Sequence, residues 1–175
     1  VIASDKTAAQ PSILAAIHTY QSVFDEDHEN TWHGVNAASL ILRAARDGLA
    51  GPPVEEARRI ATATLDVLAR RQAAAAGKNL ADPQTAEQRE GVELEAWDHA
   101  SRVEALIALD KLDEADRALD AYLTHPGMDA FEVASTFRQF DEVLQLSSRE
   151  KGAPLLERLR KAAELCSGAN AGSIR

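Results

Sequence analysis

One short pattern occurs three times in this chain and restricts its fold more than any other feature. An aromatic residue is followed by chosen side chains at +4, +7 and +11. The copies are Trp32, Asn36, Ser39, Arg43; Trp97, Ser101, Glu104, Ala108; and Phe131, Ser135, Arg138, Glu142. At about 100° per residue, those positions share one narrow sector of an α-helix. Apolar residues surround them, so each strip is a polar line on a helix that is otherwise packed. Three helices with one strip in common predict an array of stacked units with a shared surface.

Composition agrees with helix. Alanine is abundant, β-branched residues are sparse, and aromatics make up 5% of the 175 residues. That length gives one domain or a compact run of repeats, large enough to bury a core. The formal net charge of −9 repels phosphate and anionic lipid, so neither nucleic acid nor a membrane surface is an expected partner. No stretch approaches the roughly 20 apolar residues of a membrane span. The polar segment Val1–Gln10 lacks the apolar run of a signal peptide. The single cysteine, Cys166, excludes an internal disulfide framework and suits a reducing, cytoplasmic setting. A first residue of Val1 is what a processed chain or a piece of a longer one would show.

Seven helices are predicted between a loose start, residues 1–10, and a loose end, residues 167–175. The first begins near Pro11-Ser12, with Ile13, Ile17, Tyr20 and Phe24 on one stripe, and runs into the acidic segment Asp25–Glu29. Asn30 or Thr31 caps the second, which stops at Gly48. Pro52-Pro53 opens the third, with Glu55 and Glu56 in its first turn, and the helix fades in Ala73–Ala76. Lys78–Pro83 reads as a loop, and Gln84–Gly91 is open between a short helix and an extension of the next. The fourth spans about Glu93–Leu109 and the fifth Glu114–Thr124, closed by Pro126-Gly127. Asp129 with Glu132 forms a capping-box start for the sixth, running to about Leu146. Pro154 opens the last, with Leu155, Leu156, Leu159, Ala162 and Leu165 at helical spacing.

Trp97 and Phe131 stand 34 residues apart. That is the period of the tetratricopeptide repeat, a helix–turn–helix unit. The middle unit carries more of the pattern: Leu106 in its first helix, then Ala115, Leu119 and Tyr122, then Pro126. Its turn uses Asp110-Lys111 where that family usually has glycine. Trp32 and Trp97 are 65 residues apart, so the first unit holds an insertion of 31. The chain thus resembles tetratricopeptide-type repeats from about Ile13 to Cys166, in units of about 31–76, 93–126 and 129–166. The opening helix, residues 11–25, mirrors a second helix through Ala16, Tyr20 and Val23, as an orphan half-repeat of a longer parent would.

Three segments carry a further resemblance: His33–Leu40, Trp97–Ala105 and Ser135–Gln139. They look like the helical TRAF-binding region of the apoptosis-signal-regulating kinases and its bacterial relatives. The resemblance implies a regulatory, protein-binding module attached to effector domains. TRAF binding itself does not carry over, because no TRAF-contacting residue is matched. The chain has no kinase signature and no glycine-rich phosphate loop.

If first helices line a concave face, the strips align in rows: Trp32/Trp97/Phe131, Asn36/Ser101/Ser135, Ser39/Glu104/Arg138 and Arg43/Ala108/Glu142. Adjacent helices lie ~8–10 Å apart, so side chains of one row can meet. Glu104 and Arg138 are then an expected ion pair, with Arg43 reaching diagonally to Glu104. Two readings compete. In one, aromatic anchors and polar groups form a groove for a peptide or partner helix. In the other, the polar groups satisfy each other within the stack. An unpaired buried amide costs ~1–3 kcal/mol, which favours a partner for Asn36 in Ser39, Ser101 or the backbone. For Trp32 and Trp97, core packing is favoured, because large aromatics usually pack.

Other constellations carry less. Asp25-Glu-Asp-His28 with Glu29 and His33 has metal-ligand types, yet such charge runs usually form solvated loops. Glu95 and His99 are an i,i+4 pair, not the Glu-x-x-His of carboxylate-bridged metal bundles. Cys166 has no histidine in its helix, and no serine shows nucleophile-elbow spacing. The expectation is an all-α, right-handed stack of antiparallel helix pairs. It acts without enzymatic chemistry or cofactor, presenting Trp32, Asn36, Ser39, Arg43, Trp97, Ser101, Glu104, Arg138 and Glu142 to a peptide or an adjacent domain. The alternative is a small-molecule or divalent-metal site between helices, built on His33, His99 and nearby acids.

Overall fold

The computed structural model describes residues 2–81 and 94–171, with side chains at 11–76 and 94–166. The chain is all-helical among these residues. The order is α1 (Ile2–Glu26), α2 (Thr31–Arg46), α3 (Val54–Ala81), α4 (Ala96–Ala108), α5 (Leu112–Leu123), α6 (Ala130–Arg138) and α7 (Ala153–Ala171). A π-helical turn, Gln139–Val143, continues α6, and a 3₁₀ turn, Leu146–Ser148, precedes α7.

Local chemistry places most of these ends. Gly48 takes φ +73° just past α2, a conformation that suits a residue without Cβ. Asp110 takes φ +60° in the tight turn between α4 and α5, where aspartate is among the few side chains that tolerate it. At α6 the Asp129 carboxylate accepts from the Glu132 backbone N–H at 2.8 Å. The Asp129 backbone N–H donates back to Glu132 Oε2 at 3.3 Å, completing the capping box. Asn30 is the N-cap of α2, without a side-chain capping bond.

α1, α3 and α7 run further than the sequence predicts, and α4, which starts at Ala96, and α6 are shorter. The loose start over residues 1–10 is helical from Ile2, and Pro11 lies inside α1. Gly77 and Lys78 likewise sit within α3, since one glycine weakens an alanine-rich helix by only about 1 kcal/mol. The last helix passes residue 167 and ends at Ala171, so part of the expected loose end is helical. The sixth helix stops at Arg138, not near Leu146. All of Gln84–Gly91 lies within residues 82–93, which are outside the described residues.

Consecutive helices pack on one another from α1 to α5, and α6 packs on α7. α2 lies against α1, α3 and α4, and α4 lies against α2, α3 and α5. α7 packs on α6 and α5. Two apolar clusters result. Phe24, Val35, Ile41, Ile60 and Ala61 fill the first, between α1, α2 and α3, and α4 adds Ala105 and Ala108. Val103, Leu106, Leu119, Tyr122, Phe140 and Leu159 fill the second, which joins α4, α5, α7 and the α6–π segment.

At Gly34, α2 is squeezed between its partners. A Cβ there would lie 2.7 Å from Thr64 Oγ1 and 2.8 Å from two ring carbons of Phe24, both residues fully buried. Alanine should gain about 1 kcal/mol of helix propensity. Overpacking costs roughly 1–3 kcal/mol, so Gly34→Ala is expected to be destabilising on balance. A urea midpoint equal to or above that of the parent would show that Phe24 and Thr64 yield freely.

The acidic segment Asp25–Glu29 is exposed, as expected of such a charge run, and its carboxylates make surface pairs. Asp25 pairs with Arg59 at 3.2 Å, and Glu29 pairs with Arg70 and Arg71 of α3. His28 stacks edge-on against Phe24 at 4.7 Å.

Candidate binding cleft

The strips of α2 and α4 meet at their +7 positions. Ser39 Oγ donates to Glu104 Oε1 at 2.7 Å, and Ser39 is fully buried. Gln139 Nε2 donates to the same oxygen, also at 2.7 Å. Glu104 is only 8% exposed. Both bonds end on Oε1, so Oε2 has no donor among the described residues. Burial pushes the Glu104 carboxyl above its usual range, and the bonds from Gln139 and Ser39 act in the opposite direction.

The expected pair between Glu104 and Arg138 does not form. Arg138 is exposed, and its neighbour Gln139 takes the place beside Glu104. The reason is the rotation of α6. Burying Val133, Phe140 and Leu144 turns the helix so that Glu132, Ser135, Thr136 and Gln139 border α2 and α4. One residue is about 100° of rotation, enough to exchange Arg138 for Gln139. Phe131 is consequently 71% exposed and does not line the cleft. Glu142 is exposed in the π turn, where the +11 spacing of a regular α-helix no longer holds. Arg43 reaches Asp47 at 3.6 Å rather than Glu104, because the i,i+4 carboxylate is the nearer charge.

Trp32 and Trp97 depart from the expectation of core packing: they are 46% and 51% exposed. The helix ends explain this. Trp32, Trp97 and Phe131 are each the second residue of their helix, beyond the edge of the packed core. Tyr20 meets Trp32 edge-on at 5.5 Å, and His33 meets it at 5.0 Å. Asn36 Nδ2 donates to the Trp32 carbonyl at 2.8 Å, so this amide finds a backbone partner.

Arg71 of α3 fixes the two helix starts that carry the tryptophans. Its Nη1 donates to Asp98 Oδ1 at 2.7 Å, and its Nε donates to Glu29 Oε2 at 3.1 Å. Asp98 Oδ1 also accepts from Thr31 Oγ1 at 3.4 Å. Asp98 is buried, so this charge-assisted bond is shielded from solvent screening more than a surface pair. Sequence reading missed Arg71, and no local signal could have found it, since Asp98 lies 27 residues away.

These parts enclose a cleft of about 110 Å³. Trp32 and Trp97 stand at it, Asn36, Ser101 and Glu104 continue its wall, and Glu132, Ser135, Thr136 and Gln139 close the α6 side. A second, wider hollow of about 360 Å³ shares both tryptophans and is completed by Glu29, Asn30, Thr31 and His33. The ring of His99 stands 5.5 Å from that of His125, centre to centre. Among the described residues, no three His, Cys, Asp or Glu side chains come together as a metal-binding group, and no helix is long and apolar enough to cross a membrane.

The position of Glu104 has a pH signature. Its carboxyl is held above the unfolded value of about 4.5, so the neutral form is the one that folding favours. That contribution is complete below about 4.5 and is lost as pH rises through the folded-state value. Glu104→Gln keeps the shape and removes the titration. The melting temperature of the parent, minus that of the variant, should therefore fall as pH rises from about 4.5. A difference independent of pH would show that Glu104 titrates as an ordinary carboxyl.

Comparison with known protein families, with curated proteins and with solved structures finds no match to this chain.

Proposed function

We propose that this chain is a non-enzymatic protein-interaction module, and that the cleft between α2, α4 and α6 receives a peptide segment of a partner protein or adjacent domain. One observation carries the reading: two half-exposed tryptophans flank a cleft whose wall holds a buried, hydrogen-bonded carboxylate. Exposed aromatics beside a desolvated polar group are the composition of binding hot spots. A right-handed tetratricopeptide-like stack gives this geometry a natural origin, because the first helix of each pair would line one concave face. The resemblance to the TRAF-binding region of apoptosis-signal-regulating kinases supports a regulatory role of the same kind. The lone Cys166 supports a reducing, cytoplasmic setting.

The test is selection from a random-peptide library against the purified chain, with Ser135→Trp as the blocked control. Ser135 is exposed and borders the cleft, so tryptophan there fills the site without disturbing the core. Selected peptides should bind the blocked variant at least tenfold more weakly. Peptides that bind both equally, or no enrichment at all, would overturn the proposal.

A further inference from the structure

The cleft has one sign of charge. Its charged lining residues are Glu104 and Glu132, and no lysine or arginine borders it. Glu104 is more than nine-tenths buried, and its Oε2 accepts no bond from the described residues, although Oε1 accepts two. Trp32 and Trp97 add two π faces to the same space. The wider hollow that shares both tryptophans adds Glu29. Tryptophan is the aromatic that attracts cations best, with useful attraction out to about 6 Å from the ring. The volume of about 110 Å³ far exceeds the roughly 10–15 Å³ that one water needs, so a side chain can enter.

We infer that the occupant is the cationic side chain of a lysine or arginine in the bound peptide, seated against Trp32 and Trp97 with its N–H donating to Glu104 Oε2. This rests on the peptide-docking reading above and specifies its chemistry. Folding has already removed Glu104 from water, so binding need not desolvate it, and an arriving cation favours its ionised form. The apolar stem of lysine or arginine covers indole surface while its head meets the charge. Ser39 and Gln139 hold the carboxylate in place from the other oxygen, which fixes where the cation docks.

Both of the chain's tryptophans border the cleft and the adjoining hollow, so intrinsic tryptophan fluorescence reports on peptide seated beside them. The probes are the cleft-dependent peptides from the library selection and analogues with each lysine or arginine replaced by norleucine. One replacement should weaken binding to the parent protein at least tenfold. Glu104→Gln should weaken the basic peptide by a similar factor and leave its norleucine analogue unchanged, as coupled partners do in a double-mutant cycle. If the norleucine analogue binds the parent as tightly, or the selected peptides lack basic residues, the cationic occupant is wrong while cleft-dependent docking stands. If no peptide depends on the cleft, docking itself fails and this inference goes with it. The peptide-side replacement needs no protein variant, so misfolding of Glu104→Gln cannot obscure the result.

Discussion

Replacing Phe140 by alanine is expected to lower the unfolding free energy by about 3–5 kcal/mol, the range for removing a buried aromatic. Phe140 is fully buried in the cluster that joins α4, α5 and α7. It also lies in the π turn, directly after the residue that bonds Glu104. The backbone there is held by the Leu144 N–H bond to the Gln139 carbonyl at 3.1 Å, an i→i+5 closure. Without the ring, the packing that sets the rotation of this segment is lost, and Gln139 loses its fixed place beside Glu104. Denaturant titration should show the drop with little change in slope. A loss below 1 kcal/mol would mean that the site collapses around the gap and that Phe140 does not set the rotation of α6.

Gly152→Ala is expected to cost about 3 kcal/mol, the upper part of the range for forcing atoms into a packed core. A Cβ at Gly152 would stand 2.3 Å from the Leu146 carbonyl oxygen and 3.0 Å from its carbon. The obstacle is backbone, which cannot rotate away as a flexible side chain would. Leu146 is itself fully buried, and the Gly152 N–H is already committed to the Arg149 carbonyl at 2.9 Å. Relief therefore requires shifting either the 3₁₀ turn or the start of α7. A thermal melt checks this directly: an unchanged midpoint would show that the 146–152 loop moves without penalty.

The glycines and prolines made the helix ends readable, as at Gly48 and Pro126-Gly127. So did the reciprocal pair Asp129 and Glu132. The meeting of Ser39 with Glu104 was legible for a related reason, since equal spacing from Trp32 and Trp97 put both at the same height. Two things were not legible. The rotation of α6 depends on which apolar residues are buried, and a strip of evenly spaced side chains does not say whether Phe131 or Phe140 goes inside. Spacing also assumes an unbroken α-helix, and the π turn ends that assumption at Gln139. The exposure of Trp32 and Trp97 was hidden because residue type favours packing, while position in the first helical turn decides against it.

α4 belongs to both apolar clusters, with Ala105 and Ala108 facing one and Val103, Leu106 and Ile107 facing the other. A helix that faces two ways cannot open without exposing both halves of the molecule. Its amide protons should accordingly exchange only through near-global opening, while those of α1 and α7 exchange through smaller fluctuations. Trp97, Ser101 and Glu104 all lie on α4. The most slowly exchanging backbone thus lies under the cleft, and a ligand arriving there would meet a surface already in its final form.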